Sequence, residues 1–151
     1  GGYYNFRKID ISAWTPPLDE LAAEAKERGI PTLGIGDGGN EVGMGNFHEE
    51  LKRLLPAYAS CLCTVRTDYA LAVDVSNWGA YALTAALSFM WGNWRGPEAG
   101  EELAMLKAVK ELGAVDGISR LPELTVDGFD IATQDKIISS LNELWELYRF
   151  A

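Results

Sequence analysis

One histidine and two cysteines in 151 residues leave little nitrogen or sulfur chemistry to organise a site. A structural zinc centre takes four ligands, mostly Cys and His, and a disulfide framework needs more thiols than Cys61 and Cys63 supply; both are excluded. These two cysteines, spaced to share one face of a strand, are expected as a buried, reduced pair. Positive charge is scarce as well. Thirteen Lys and Arg stand against 22 Asp and Glu, a net charge of -9, and no basic cluster occurs. Nucleic acid and anionic membrane surfaces are therefore excluded as partners. No uncharged apolar run reaches the roughly 18–20 residues of a bilayer span; the longest, Gly79 to Gly92, reads as a core helix. The amino end lacks the basic, apolar and small-residue layout of a secretory leader, so a cytoplasmic location is expected. It also lacks an initiator methionine, and the expectation is one domain over residues 1–151 that is missing an amino-terminal portion.

What is present is enough for a core, since 48% of residues are hydrophobic. Leu18, Leu21, Ala22 and Ala25, opened by Pro16-Pro17 and closed by Gly29, predict a helix with a charged outer face. Thr32 to Gly36 reads as a strand running into a glycine-rich loop. Phe47, Leu51, Leu54 and Leu55 predict the next helix, with Asn46 as N-cap and Pro56 as its end. Cys61 to Val65 and Ala70 to Val75 are continuous apolar runs of strand length, the pattern of strands covered on both faces. Asp74 would then lie inside a strand, where an unpaired carboxylate is costly. After the core helix come a helix through Met105, Ala108, Val109 and Leu112, and a loop-rich stretch from Ala114 to Asp130 with two short strands. A last helix places Ile137, Leu141, Leu144, Trp145 and Tyr148 on one face, with Thr133 as cap. Helices alternating with buried strands define the α/β class: a mostly parallel sheet layered between helices, with ligand loops at the carboxyl ends of its strands.

The loop at that position, "LGIGDGGNEVGMGN" from Leu33 to Asn46, holds six glycines around Asp37, Asn40 and Glu41. Gly34 to Gly39 satisfies G-x-G-x-x-G, but Asp37 would set a carboxylate beside a pyrophosphate, and no ribose-binding acid follows about twenty residues on. A phosphate-binding loop is excluded because no Gly-Lys-Ser/Thr follows. A calcium hand is excluded because Gly39 and Glu41 occupy its ligand positions and Val42 its turn glycine. There remain backbone amides able to form an anion nest and three oxygen-donor side chains within five residues. Oxygen donors without histidine or paired thiolates suit magnesium or manganese, so the residues imply a hard cation with a small carboxylate or phosphate. The plainer alternative is that Asp37 and Asn40 merely hold a tight turn. Asp10, Asp68, Asn77 and Trp78 are further candidates that turn, capping and packing roles also explain. Asp116 and Asp127, each in a "VDG", are expected as turn residues, and His48 as solvated.

"YYNFRKIDIS", "GIPTLGIGDGGNEVGMGN" and "VSNWGAYAL" together resemble the D-glutamate cyclase family over roughly Gly1 to Leu87. The resemblance implies a lyase that reversibly dehydrates D-glutamate to 5-oxo-D-proline with a divalent metal, Mn2+ or Mg2+, in the mitochondrial matrix if the source is eukaryotic. It makes Asp37 and Glu41 the candidate catalytic residues and, with Asp10, the candidate metal ligands. Asn40, Gly38, Gly39 and Asn77 become the candidate substrate-binding residues. Alternatives are a metal-dependent hydrolase of a small anion and a non-catalytic metal- or ligand-binding domain.

Overall fold

A computed structural model describes residues 2–150, and the chain divides into two compact units, Gly1–Gly79 and Ala80–Ala151. The first opens on a turn in which Tyr4 pairs with Asp10 in an isolated antiparallel bridge. Helix α1 (Leu18–Glu27) follows Pro16-Pro17 and carries Asp19 and Glu20 in its first turn and Lys26 in its last, as the helix dipole favours. It stops at Gly29, whose φ is +66°. Its leucines Leu18 and Leu21 remain exposed, so the apolar stripe is not covered within this unit.

Strand β1 (Leu33–Gly36) pairs in parallel with β2 (Tyr69–Ala72), Leu33 opposite Tyr69 and Gly36 opposite Ala72. Parallel pairing requires a crossover. Here it comprises the glycine loop, a 3₁₀ turn (Met44–Phe47), helix α2 (His48–Leu54) and an irregular return. At the amino end the pair is clamped: Asp68 Oδ2 accepts from the backbone N–H and Oγ of Thr32, both at 2.8 Å, and the Asp68 N–H donates back to Thr32 Oγ at 3.0 Å. Hydrogen bonds from Thr32, backbone first, hold the Asp68 carboxyl below its ordinary value. The α/β class and the parallel pairing are as expected, in a sheet of two strands.

Cys61 to Val65 is not a strand: Cys63 N donates to Gly39 O, and Val65 O accepts from Gly43 N and Gly45 N, so this backbone braces the glycine loop instead of joining the sheet. Strand β2 ends at Ala72, which puts Asp74 in the loop beyond it, exposed, and removes the cost of a carboxylate inside a strand. Asn46 is not an N-cap. Its side chain reaches across the crossover, Oδ1 accepting from Thr67 N at 3.1 Å and Nδ2 donating to Thr67 O at 2.9 Å.

Helix α3 (Ser76–Trp91) starts in the first unit, where Val75 is fully buried and Gly79 lies against Ile35 and Val73. In the second unit α4 (Glu101–Glu111), a hairpin of β3 (Thr125–Val126) and β4 (Phe129–Asp130), and α5 (Ile131–Tyr148) follow. Asp127 and Gly128 turn the hairpin with φ of 50° and 81°, both left-handed, as a two-residue hairpin turn of this twist requires. Asp130, not Thr133, caps α5: its Oδ1 accepts from Thr133 N at 2.9 Å and Thr133 Oγ at 2.8 Å. The buried line of α5 is Gln134, Ile138 and Trp145, whereas Leu144 and Tyr148 are exposed. Phe89 and Trp94 pack on Trp145 with ring centroids 5.1 and 6.2 Å away.

Candidate functional site

The glycines of Leu33 to Asn46 are spent first on close backbone approach. A Cβ on Gly34 would stand 2.6 Å from Gly43 Cα, and one on Gly43 would stand 2.6 Å from Gly34 Cα. The loop therefore folds back onto the strand it left.

Within that fold the expected anion nest exists and is filled by the loop itself. Glu41 Oε1 accepts from Gly38 N at 3.0 Å and Oε2 from Gly39 N at 2.8 Å. Glu41 thus faces inward, and the two amides expected to greet a substrate carboxylate are directed at a carboxylate already in the chain. Asn40 turns the other way, donating from Nδ2 to Tyr4 O at 3.0 Å, beside a cleft of about 210 Å³ that also meets Tyr3, Asp19 and Cys63.

Asp37 has a different environment. It is the first residue beyond β1 and lines a cleft of about 470 Å³ together with Gly39, Met44, Leu51, Val73 and Asp74. Because β1 and β2 are parallel, both chains leave the sheet on this side, which is where open α/β sheets hold ligands. Asp37 Oδ2 accepts from Ser76 N at 2.7 Å and from Ser76 Oγ at 2.5 Å. Among the described residues nothing donates to Oδ1.

The remaining candidates are placed elsewhere. Asp10 is an exposed turn residue; Ser12, through its side chain and its N–H at 2.8 Å, holds the Asp10 carboxyl below its ordinary value. Asp10 lines neither cleft. Asn77 follows Ser76 in the first turn of α3 and lines neither cleft. His48 is half-buried, not solvated, with Nδ1 at 2.9 Å from Cys63 O. Cys61 is buried, Cys63 half-buried, and both are free thiols.

The proposed metal set is not assembled by these residues. Both Glu41 oxygens are engaged by amides and Asp10 stands on a separate turn. Among the described residues no group of three or more His, Cys, Asp or Glu is placed to hold a metal ion.

In the second unit Asp116 is far more than a turn residue. It is buried and accepts four hydrogen bonds: Oδ1 from Ile118 N and Ser119 N, both at 2.8 Å, and Oδ2 from Thr125 Oγ and Gly128 N, both at 2.9 Å. Burial pushes its carboxyl up, but the bonds from Gly128, Ser119, Thr125 and Ile118 outweigh that and hold it at about 2. Of the residues beside Asp37, the sequence does not single out Ser76, and it marks Asp74 only as a costly carboxylate inside a strand, with no role given to it. A serine between a strand and a helix was the available signal for Ser76.

A glycine-built loop thus presents the Asp37 carboxylate at the carboxyl edge of a parallel strand pair in a mixed α/β domain. The chain belongs to the D-glutamate cyclase-like, C-terminal family, whose model matches residues 1–142. It is similar to the human protein named D-glutamate cyclase, mitochondrial, with 44% identity over 92 residues, which are 60% of this chain and 15% of the human protein. The chain therefore spans a small part of that relative's length. Among the described residues no helix is long and apolar enough to cross a membrane.

Proposed function

We propose that this chain carries the D-glutamate cyclase reaction, interconverting D-glutamate and 5-oxo-D-proline, with the reacting atoms in the cleft lined by Asp37 and Asp74. Family membership supports the substrate class. The observation that carries the assignment to this cleft is the Asp37 carboxylate, clamped through Oδ2 and open at Oδ1, at the carboxyl edge of the parallel pair. A volume of about 470 Å³ suits a five-carbon amino acid, within the roughly 300–1,000 Å³ usual for ligand pockets.

In the forward direction the amine nitrogen bonds the γ-carboxyl carbon, one carbon–oxygen bond breaks, and the two protons that nitrogen sheds leave with that oxygen as water. The site must fold the substrate on itself and carry those protons. Asp37, Asp74 and Glu50 line the cleft with negative charge, which draws the substrate's ammonium toward Asp37. Asp37 Oδ1 is the acceptor for the first proton. The ammonium has no lone pair, so its first proton must pass to Asp37 Oδ1 before the nitrogen can attack; carbon–nitrogen bond formation then acidifies the nitrogen, which sheds its second proton more readily. The described residues do not form the metal set first expected, and no step here passes through a metal.

The test is chiral chromatography of D- and L-glutamate incubated with the chain, in Mn2+, in Mg2+ and in chelator. Formation of 5-oxoproline from the D isomer alone supports the reading. Absence of product from either isomer under all three conditions sinks it for this chain.

A further inference from the structure

Asp37 follows β1 directly and Ser76 starts α3, 39 residues later, yet they meet through two hydrogen bonds to one oxygen. A carboxylate held by a single donor can still rotate about its Cβ–Cγ bond. Two donors of one residue on Oδ2 fix that rotation, and with it the direction of Oδ1.

The clamp is only as firm as the helix start that carries it. That start is seated on both strands: a Cβ on Gly79 would lie 2.7 Å from Ile35 Cγ2 and 3.1 Å from Val73 Cγ2, so the bare glycine lets the first turn of α3 close onto β1 and the end of β2. Val75, just before Ser76, is fully buried. The Ser76 hydroxyl is thus tied to the same rigid pair of strands that delivers Asp37 and Asp74 to the cleft.

From this geometry we propose that Ser76 is a positioning residue for the reaction: it holds Oδ2 of Asp37 so that Oδ1 alone faces the substrate. The proposal rests on the cyclase reading of the cleft. It distinguishes Ser76 from a residue that merely starts a helix, because the Oγ bond contributes nothing to the helix ladder and everything to the aim of a remote carboxylate.

Ser76→Ala keeps the backbone donor and removes the second, leaving Asp37 free to pivot. The expected result is a fall in kcat of about 10–100-fold with KM within about twofold, as for a misaimed catalytic group. Ser76→Thr, which retains the hydroxyl, is expected to restore most of the rate. On an Asp37→Asn background, Ser76→Ala should cost nothing further, because the two act as one unit. A raised KM with unchanged kcat, or Ser76→Thr no better than Ser76→Ala while both are folded by circular dichroism, overturns the proposal. If the unaltered chain makes no 5-oxoproline, the cyclase reading fails on its own. The contact is then read from urea unfolding: non-additive losses for Ser76→Ala and Asp37→Ala, which removes the acceptor, sustain the clamp, and additive losses overturn it.

Discussion

At the scale of single residues, the two acids of the glycine loop, four positions apart, have opposite jobs. Asp37→Asn removes the charge but keeps an acceptor for Ser76, so it is expected to leave unfolding by urea nearly unchanged and to lower turnover by about 10²–10⁴-fold. Glu41→Gln is expected to do the reverse in kind: it sets an amide donor against Gly38 N–H or Gly39 N–H and costs about 1–3 kcal/mol in the same unfolding experiment. Equal stability losses in the two variants would contradict this division. The sequence made both acids prominent without separating them. Residue types and spacing are the same whether a carboxylate faces its own loop or a cleft, and only the backbone path, set by the approach of Gly34 to Gly43, decides.

At the scale of elements, periodicity located α1, β1, α3, α4 and α5 because each carries its own pattern within a few turns or residues. It failed at Cys61 to Val65, a mostly apolar stretch of strand length in which Cys63 N and Val65 O bond the glycine loop and no strand pairing forms. A short apolar run reads alike in either role. Close backbone approach also makes glycines of positive φ differ in tolerance. Gly43 has φ of +102°, and a Cβ there meets Gly34 Cα at 2.6 Å and Thr67 Oγ at 2.9 Å, whereas Gly29, at φ of +66°, has nothing within 4 Å. Gly29→Ala should cost about 1 kcal/mol from backbone strain alone. Gly43→Ala should cost well beyond that, through both strain and overpacking, and should abolish turnover; comparable urea midpoints for the two variants would refute the account.

At the scale of the whole molecule, several aspartates are held ionised by hydrogen bonds: Asp68 by Thr32, Asp130 by Thr133, and above all Asp116, whose carboxyl sits at about 2 against an ordinary 3.8. A folded-state value below the unfolded one means stability that is complete above about pH 4 and drains as pH falls toward about 2. Urea midpoints taken from about pH 6 down to pH 2 should therefore decline most steeply in that lower window. Asp116→Asn should be less stable at neutral pH by about 2 kcal/mol and should flatten the decline; a parallel curve for the variant would show that other groups govern it. The nest has a consequence of another kind. A segment with six glycines is ordinarily expected to trade its amide hydrogens for deuterium almost at once. Here Gly38 and Gly39 donate to Glu41, while Gly43 and Gly45 donate to Val65. Deuterium should enter these four positions slowly, on the clock of the strands, in protein that has never met a ligand.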